Sequence, residues 1–170
     1  MLFDDTYKEI EQEGRGLYKE RGSKFIAYAY PVYSLNDIKI KLKHIKSIES
    51  SAHHHCYAYR LHPDKSMFKF SDDGEPAYTA GKPIFKQIEK YELTNILIVV
   101  VRYFGGIKLG IPGLIRAYKT AATNAIKNSE IITKIIKEKY VILFEHEHIN
   151  NVMRILKAHT AEIIKTDFST

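Results

Sequence analysis

The chain has 170 residues, 45% hydrophobic and 27% charged, with a formal net charge of +6. That balance belongs to a folded globular protein and excludes a disordered or low-complexity chain. A single cysteine, Cys56, rules out an intramolecular disulfide, and the longest apolar run, residues 96–101, is far shorter than the ~20 residues a membrane helix needs. The start Met1-Leu2-Phe3-Asp4-Asp5 has neither the basic nor the apolar region of a signal peptide, so a reducing cytoplasm and no membrane partner are expected.

In chain order, residues 1–15 are charge-rich and run into Gly14-Arg15-Gly16, which predicts an arm or short helix ahead of the first strand. Residues 23–31 alternate and are rich in aromatics, a strand that Pro31 ends. Ser34 is a suitable N-cap, and Ile38, Leu42, Ile45 and Ile48 recur at helical spacing, predicting an amphipathic helix over 35–50. Strands over 54–61 and 67–70, joined by His62-Pro63-Asp64-Lys65, should form an antiparallel hairpin. A polar loop over 71–81 leads to a short helix carrying Pro83, Phe85, Ile88 and Tyr91, then to a buried strand over 95–101. A glycine-rich turn precedes a second long helix, 112–128, whose alanines at 117, 121, 122 and 125 predict close packing on that face. Beyond residue 139 the pattern reads as strand 140–144, helix 149–158 and strand 161–168, a βαβ segment that is small for a free-standing domain.

The excess positive charge is localised. Residues 101–140 hold 8 Lys and Arg against 2 Asp and Glu, while every other stretch is close to balance. A basic surplus in one stretch marks a footprint for an anionic partner or a solvated helix face. Within it, Arg102 and Lys108 flank a turn containing Gly105, Gly106 and Gly110, a strand–glycine–helix succession able to present backbone N–H groups and a positive helix end to an anion. Arg116, Lys119, Thr123 and Lys127 then follow on one helix face, extending a basic ridge. The turn has neither the Lys-Ser/Thr of a P-loop nor the dinucleotide fingerprint, so nucleotide hydrolysis is unsupported.

Two further clusters bear chemistry. Asp72, Asp73 and Glu75 lie in one loop and could hold a hard cation, engage a basic partner, or satisfy local N–H groups. His53, His54, His55 and Cys56 lie on a strand, where alternate residues share a face: His53 with His55, or His54 with Cys56. Two such ligands do not close a zinc site without help from the acidic loop, and no His-Glu-x-x-His motif is present. Neither a metal, a cofactor nor a catalytic residue is expected, and Cys56 reads as a buried small residue.

Ser23-Lys24-Phe25, the 52–56 histidine run with Ala58, Ser71-Asp72-Asp73-Gly74-Glu75-Pro76 with Thr79-Ala80-Gly81, and Arg102-Tyr103-Phe104-Gly105-Gly106 through Lys108-Leu109-Gly110 to Gly113-Leu114 and Arg116-Ala117-Tyr118 together resemble the IMPACT/YigZ family, in that family's order. The resemblance implies an α+β fold: a ribosomal-protein-type βαβ N-terminal domain over 1–135, then a ferredoxin-like C-terminal domain, of which 136–170 matches only the first βαβ half. It also implies a part in translation, since eukaryotic members act in translational control under stress through an extra N-terminal domain not recognisable here. The sequence departs from the family pattern at Ala77-Tyr78, where a small residue plus glycine is usual, and at Ile111-Pro112.

The combined expectation is a translation-associated regulatory protein that binds RNA or the ribosome through Arg102, Gly105, Gly106, Lys108, Gly110, Arg116, Lys119 and Lys127. Asp72, Asp73, Glu75, His54 and His55 form an acidic-loop surface for a possible protein partner. The alternative is a metal-assisted hydrolase of a peptide or phosphoester that uses those same five residues. Binding is favoured over catalysis because no nucleophile–base pair or closed metal set is evident.

Overall fold

The structure, a computed structural model, describes residues 5–167. Its contacts divide the chain into two units, Met1–Ile136 and Lys137–Thr170. In the first unit the strands are β1 (Thr6–Ile10), β2 (Gly14–Glu20), β3 (Ser23–Pro31), β4 (His54–Leu61), β5 (Met67–Ser71), β6 (Ile96–Tyr103) and β7 (Ile131–Ile135). Its helices are α1 (Leu35–Ile48), α2 (Gly81–Lys90) and α3 (Gly110–Lys127). A five-stranded antiparallel sheet has the order β2-β3-β6-β4-β5, and β1 pairs with β7 in a separate antiparallel ribbon.

β6 is central because its apolar run can be covered on both faces. Period-two alternation sends Ile96, Ile98 and Val100 into the core under α2 and α3, and Leu97, Val99 and Val101 into the core under α1. All six are fully buried, each contributing roughly 1.5–3 kcal/mol of transfer free energy before the entropy of ordering is counted. Ser34 caps α1 by accepting from the Asp37 N–H at 3.1 Å, while the Asp37 carboxylate accepts from the Tyr33 N–H at 2.9 Å. Ile38 and Ile45 are the buried residues of α1 and pack in the core on its side of the sheet.

α3 lies on β2 and β3, and the small residues on both sides set how close it comes. Ala27, Ala29 and Ala58 of the sheet share a core with Ala117, Ala121, Ala122 and Ala125. A Cβ added at Gly16 would stand 2.4 Å from the Ala121 carbonyl oxygen and 2.5 Å from the Ala125 nitrogen, so this strand position has no room for a side chain. Asn124 of α3 and Asn128, just past its end, donate to the carbonyls of Leu17 and Arg15 at 3.0 and 2.8 Å, capping an otherwise open sheet edge.

The α+β class expected from the sequence is the one observed. The hairpin β4–β5 and the helices α1, α2 and α3 form within a few residues of their expected bounds. The opening segment is corrected over its described residues, 5–15, residues 1–4 lying outside them: it is no arm or helix but β1, anchored by β7 and by the Thr94 N–H donating to the Lys8 carbonyl at 2.9 Å, followed by β2. The buried Glu9 of β1 is held by Lys134 of β7 and accepts from Tyr33 and Asn95, each at 3.1 Å.

In the second unit a short 3-10 turn (His146–His148) leads into α4 (Ile149–Ala158), the expected helix. The flanking segments 140–144 and 161–167 are not strands, which corrects the βαβ reading of 136–170; Phe168 lies outside the described residues. Apolar β-favouring residues are not enough without a neighbouring strand to take their N–H and C=O groups. Val141 and Leu143 are 88% and 90% exposed accordingly.

Candidate functional site

The fold brings the three singled-out sequence stretches together at one end of the sheet. β4 and β6 are neighbours in register, placing His54 opposite Arg102 and Cys56 opposite Val100, and the acidic loop crosses over them before α2 begins. At the centre is Glu75, with its side chain 3% exposed. Its Oε1 accepts from Arg102 Nη1 and from the Tyr118 hydroxyl, both at 2.7 Å. His54 Nε2 stands 3.9 Å from the same oxygen, and its Nδ1 lies 2.9 Å from the Asp73 carbonyl. Phe25 and Phe104 flank the Arg102 guanidinium, their ring centres 5.5 and 5.4 Å away. One buried polar atom of the cluster, Arg102 Nε, has no hydrogen-bond partner.

The other carboxylates of the loop serve its backbone. Asp72 accepts from the N–H groups of Tyr78 (2.8 Å), Ala80 (3.0 Å) and Gly81 (2.8 Å), organising the entry to α2. Asp73 accepts from the His55 N–H at 2.7 Å. Tyr78 sits in the left-handed region at φ 63°, which explains why glycine suits this position and which costs a bulky residue roughly 1–2 kcal/mol. Among the described residues no group of three His, Cys, Asp or Glu is placed to hold a metal ion. The alternation expected of the histidine strand is observed. His54 and Cys56 face the Glu75 cluster, whereas His55 turns to the α1 side, where its Nε2 lies 3.0 Å from the Glu49 carbonyl.

Cys56 and Tyr118 carry the most perturbed acidity of the cluster. Burial pushes the Cys56 thiol far above its ordinary value, and its Sγ donates to the Asp72 carbonyl at 3.0 Å and lies 3.4 Å from the Tyr118 hydroxyl. Burial likewise drives the Tyr118 phenol strongly upward. Both stay protonated, the opposite of what an activated nucleophile needs. On the α1 side, burial opposes the charged form of Glu49, but hydrogen bonds from Tyr103 (2.5 Å) and Tyr28 outweigh it and hold this carboxyl below its ordinary value.

The expected basic ridge divides. Arg102 is not part of it, being 6% exposed and committed to Glu75. Lys108, Arg116, Lys119 and Lys127 are exposed, and Leu114, Ala117, Ala121 and Ala125 are buried beneath them, as the helical spacing predicts. Arg116 pairs with Glu20 at the surface. The glycines divide too. The Gly105 N–H donates to Ser23 Oγ at 3.1 Å and its Cα packs on the Gly22 backbone, whereas Gly106 and Gly110 hold left-handed φ values of 86° and 70°, and a Cβ at Gly106 would meet no atom within 4 Å. The α3 N-terminus, which begins at Gly110, has no side-chain cap and no acidic residue in its first turn, so the N–H groups of Gly110 and Ile111, Pro112 having none, and the positive end of an 18-residue helix lie at exposed positions near Lys108. Tyr118 was missed in the sequence as a site residue. Its place beside the alanine face reads as packing, and the signal that could have found it is its position in the Arg116-Ala117-Tyr118 motif.

Fold and site define an α+β protein in which a histidine strand, an acidic loop and a glycine turn are tied together by a buried carboxylate–guanidinium–phenol cluster, leaving an open helix end at the surface. The family model described as the Impact N-terminal domain matches residues 21–126. An IMPACT family member of Haemophilus influenzae is 35% identical over 148 residues, covering 86% of this chain and 72% of that protein. The IMPACT family member YigZ of Escherichia coli is 32% identical with the same coverage. A crystal structure described as that of a hypothetical protein superimposes with a TM-score of 0.78 at 29% identity, covering 97% of this chain and 81% of the other. The chain belongs to the IMPACT family.

Proposed function

We propose that this chain binds structured RNA of the translation machinery, as a regulatory rather than a catalytic protein, through its glycine turn and the outer face of α3. The observation that carries this reading is the uncapped α3 N-terminus, with Gly106 and Gly110 open above it and Lys108 alongside. Phosphate oxygens suit such a site because free N–H groups and a positive helix end converge there. Lys119, Lys127 and Arg116 continue the positive surface along the helix. The assignment to translation rests on the family resemblance. A hydrolase reading has less support, because Cys56 is held protonated and Asp72, Asp73 and Glu75 are engaged with N–H, guanidinium and phenol donors.

Phosphate contacts position a protein without reading sequence, so affinity should be modest, sequence-tolerant and steeply salt-dependent. The test compares the parent with the triple variant Lys108→Ala, Arg116→Ala, Lys119→Ala on a ribosomal RNA fragment across a salt series. Each lost phosphate contact lowers the log-log slope by roughly 0.7–0.9, so the variant should be flatter by about two to three. Equal slopes would reduce the ridge to a solvated face.

A further inference from the structure

We propose that the sheet edge formed by β5 and the start of α2 is a second nucleic-acid contact, a stacking platform on which unpaired bases of a single strand lie against Phe68 and Tyr78. It rests on the RNA-binding reading above and adds the class of RNA: a single-stranded segment bound apart from the α3 surface.

Four aromatic rings form a series here. Phe68 stacks on Phe85 with centres 4.9 Å apart and planes within 20°, Phe85 lies 6.0 Å from Phe70, and Phe70 lies 6.4 Å from Tyr78. The middle of the series is sheltered and belongs to the core, whereas its ends are open, Phe68 at 54% exposure and Tyr78 at 61%. Core packing accounts for Phe70, Phe85 and the inner face of Phe68; it does not account for the outer face of Phe68 or for Tyr78. At Tyr78 the backbone is left-handed, held there by its N–H donating to Asp72, and the strained loop presents a large ring to solvent. Strain that supports an exposed side chain is characteristic of recognition surfaces.

The surrounding charge selects the partner. The Lys82 ammonium stands over one face of the Tyr78 ring, 5.2 Å from its centre, and Lys86, paired with Glu89 at 2.8 Å, follows one turn later on the exposed side of α2. Exposed rings beside lysines are the components of single-strand binding, where each base offers a face to an aromatic ring and each phosphate a charge to a lysine. The same lysines oppose a basic protein partner.

Two variants keep the fold out of the outcome. Tyr78→Gly suits the left-handed backbone, and Phe68→Leu keeps apolar cover over Phe85 while removing the ring. Binding of labelled oligouridylate and of a labelled RNA duplex is measured for parent and variants, with thermal melts in parallel. Each variant should weaken oligouridylate binding by roughly 5- to 150-fold without changing its salt slope, and leave duplex binding unchanged. Unchanged oligouridylate binding beside intact duplex binding would overturn the platform while the α3 surface stood, and would leave the rings to a protein partner. Failure of the parent to bind either RNA would overturn both readings.

Discussion

Glu75 takes up hydrogen bonds from a guanidinium and a phenol in a place almost without solvent. Charge pairs of this kind are expensive to bury and more expensive to break, since the orphaned partner stays desolvated. Glu75→Ala should therefore cost about 3–5 kcal/mol in urea denaturation, and Arg102→Met a comparable amount. The double variant should cost clearly less than the sum, because neither charge is then left alone. Strict additivity would mean that the two side chains do not depend on each other. The sequence offered Glu75 as one of three equivalent carboxylates. The fold gives the three different work, since Asp72 gathers backbone N–H groups, Asp73 fixes the histidine strand and Glu75 ties the loop to β6 and α3. Spacing along a loop cannot distinguish these roles, which depend on what packs above each side chain.

Among the elements, α3 and β2 hold each other at a distance set by glycine and alanine. Gly16→Ala would drive a methyl into the helix backbone at Ala121 and Ala125, and should destabilise the protein by about 1–3 kcal/mol. Leu17→Ala on the same strand, where the side chain is half exposed, should change stability little. A Gly16→Ala protein as stable as the parent would contradict the close packing. The same contact explains why β2 was illegible: Gly14-Arg15-Gly16 looks like a turn until a helix is laid on it. β1 and β7 were illegible for another reason, since each is short and its partner lies over a hundred residues away. β3, β4, β6, α1 and α3 were legible because an apolar alternation or run, a helical repeat and the Ser34 cap of α1 are local properties. The 140–144 segment shows the reverse error, with strand-like residues that find no ladder.

Across the molecule, the buried cluster, the open helix end and the aromatic edge are separate features of one family domain. The cluster ties the acidic loop to β6 and α3 from within, and our proposals assign the two surfaces to RNA. The resemblance to the IMPACT family was legible because its motifs are spread through the chain in order, and the fold explains their co-occurrence by bringing most of them to one end of the sheet. Exposure of the ridge could be anticipated from helical spacing, but the withdrawal of Arg102 from it could not, because strand-end residues show no periodicity that marks burial.

The central claim, that the α3 N-terminus and its lysines receive RNA phosphate, is tested most directly by following backbone amide resonances while a structured ribosomal RNA fragment is added. The account predicts that the amides of Gly106, Lys108, Gly110 and Ile111 shift first and furthest, and that these shifts fade as salt is raised. Shifts confined to residues 72–76 and to α4, with the glycine turn silent, would contradict it.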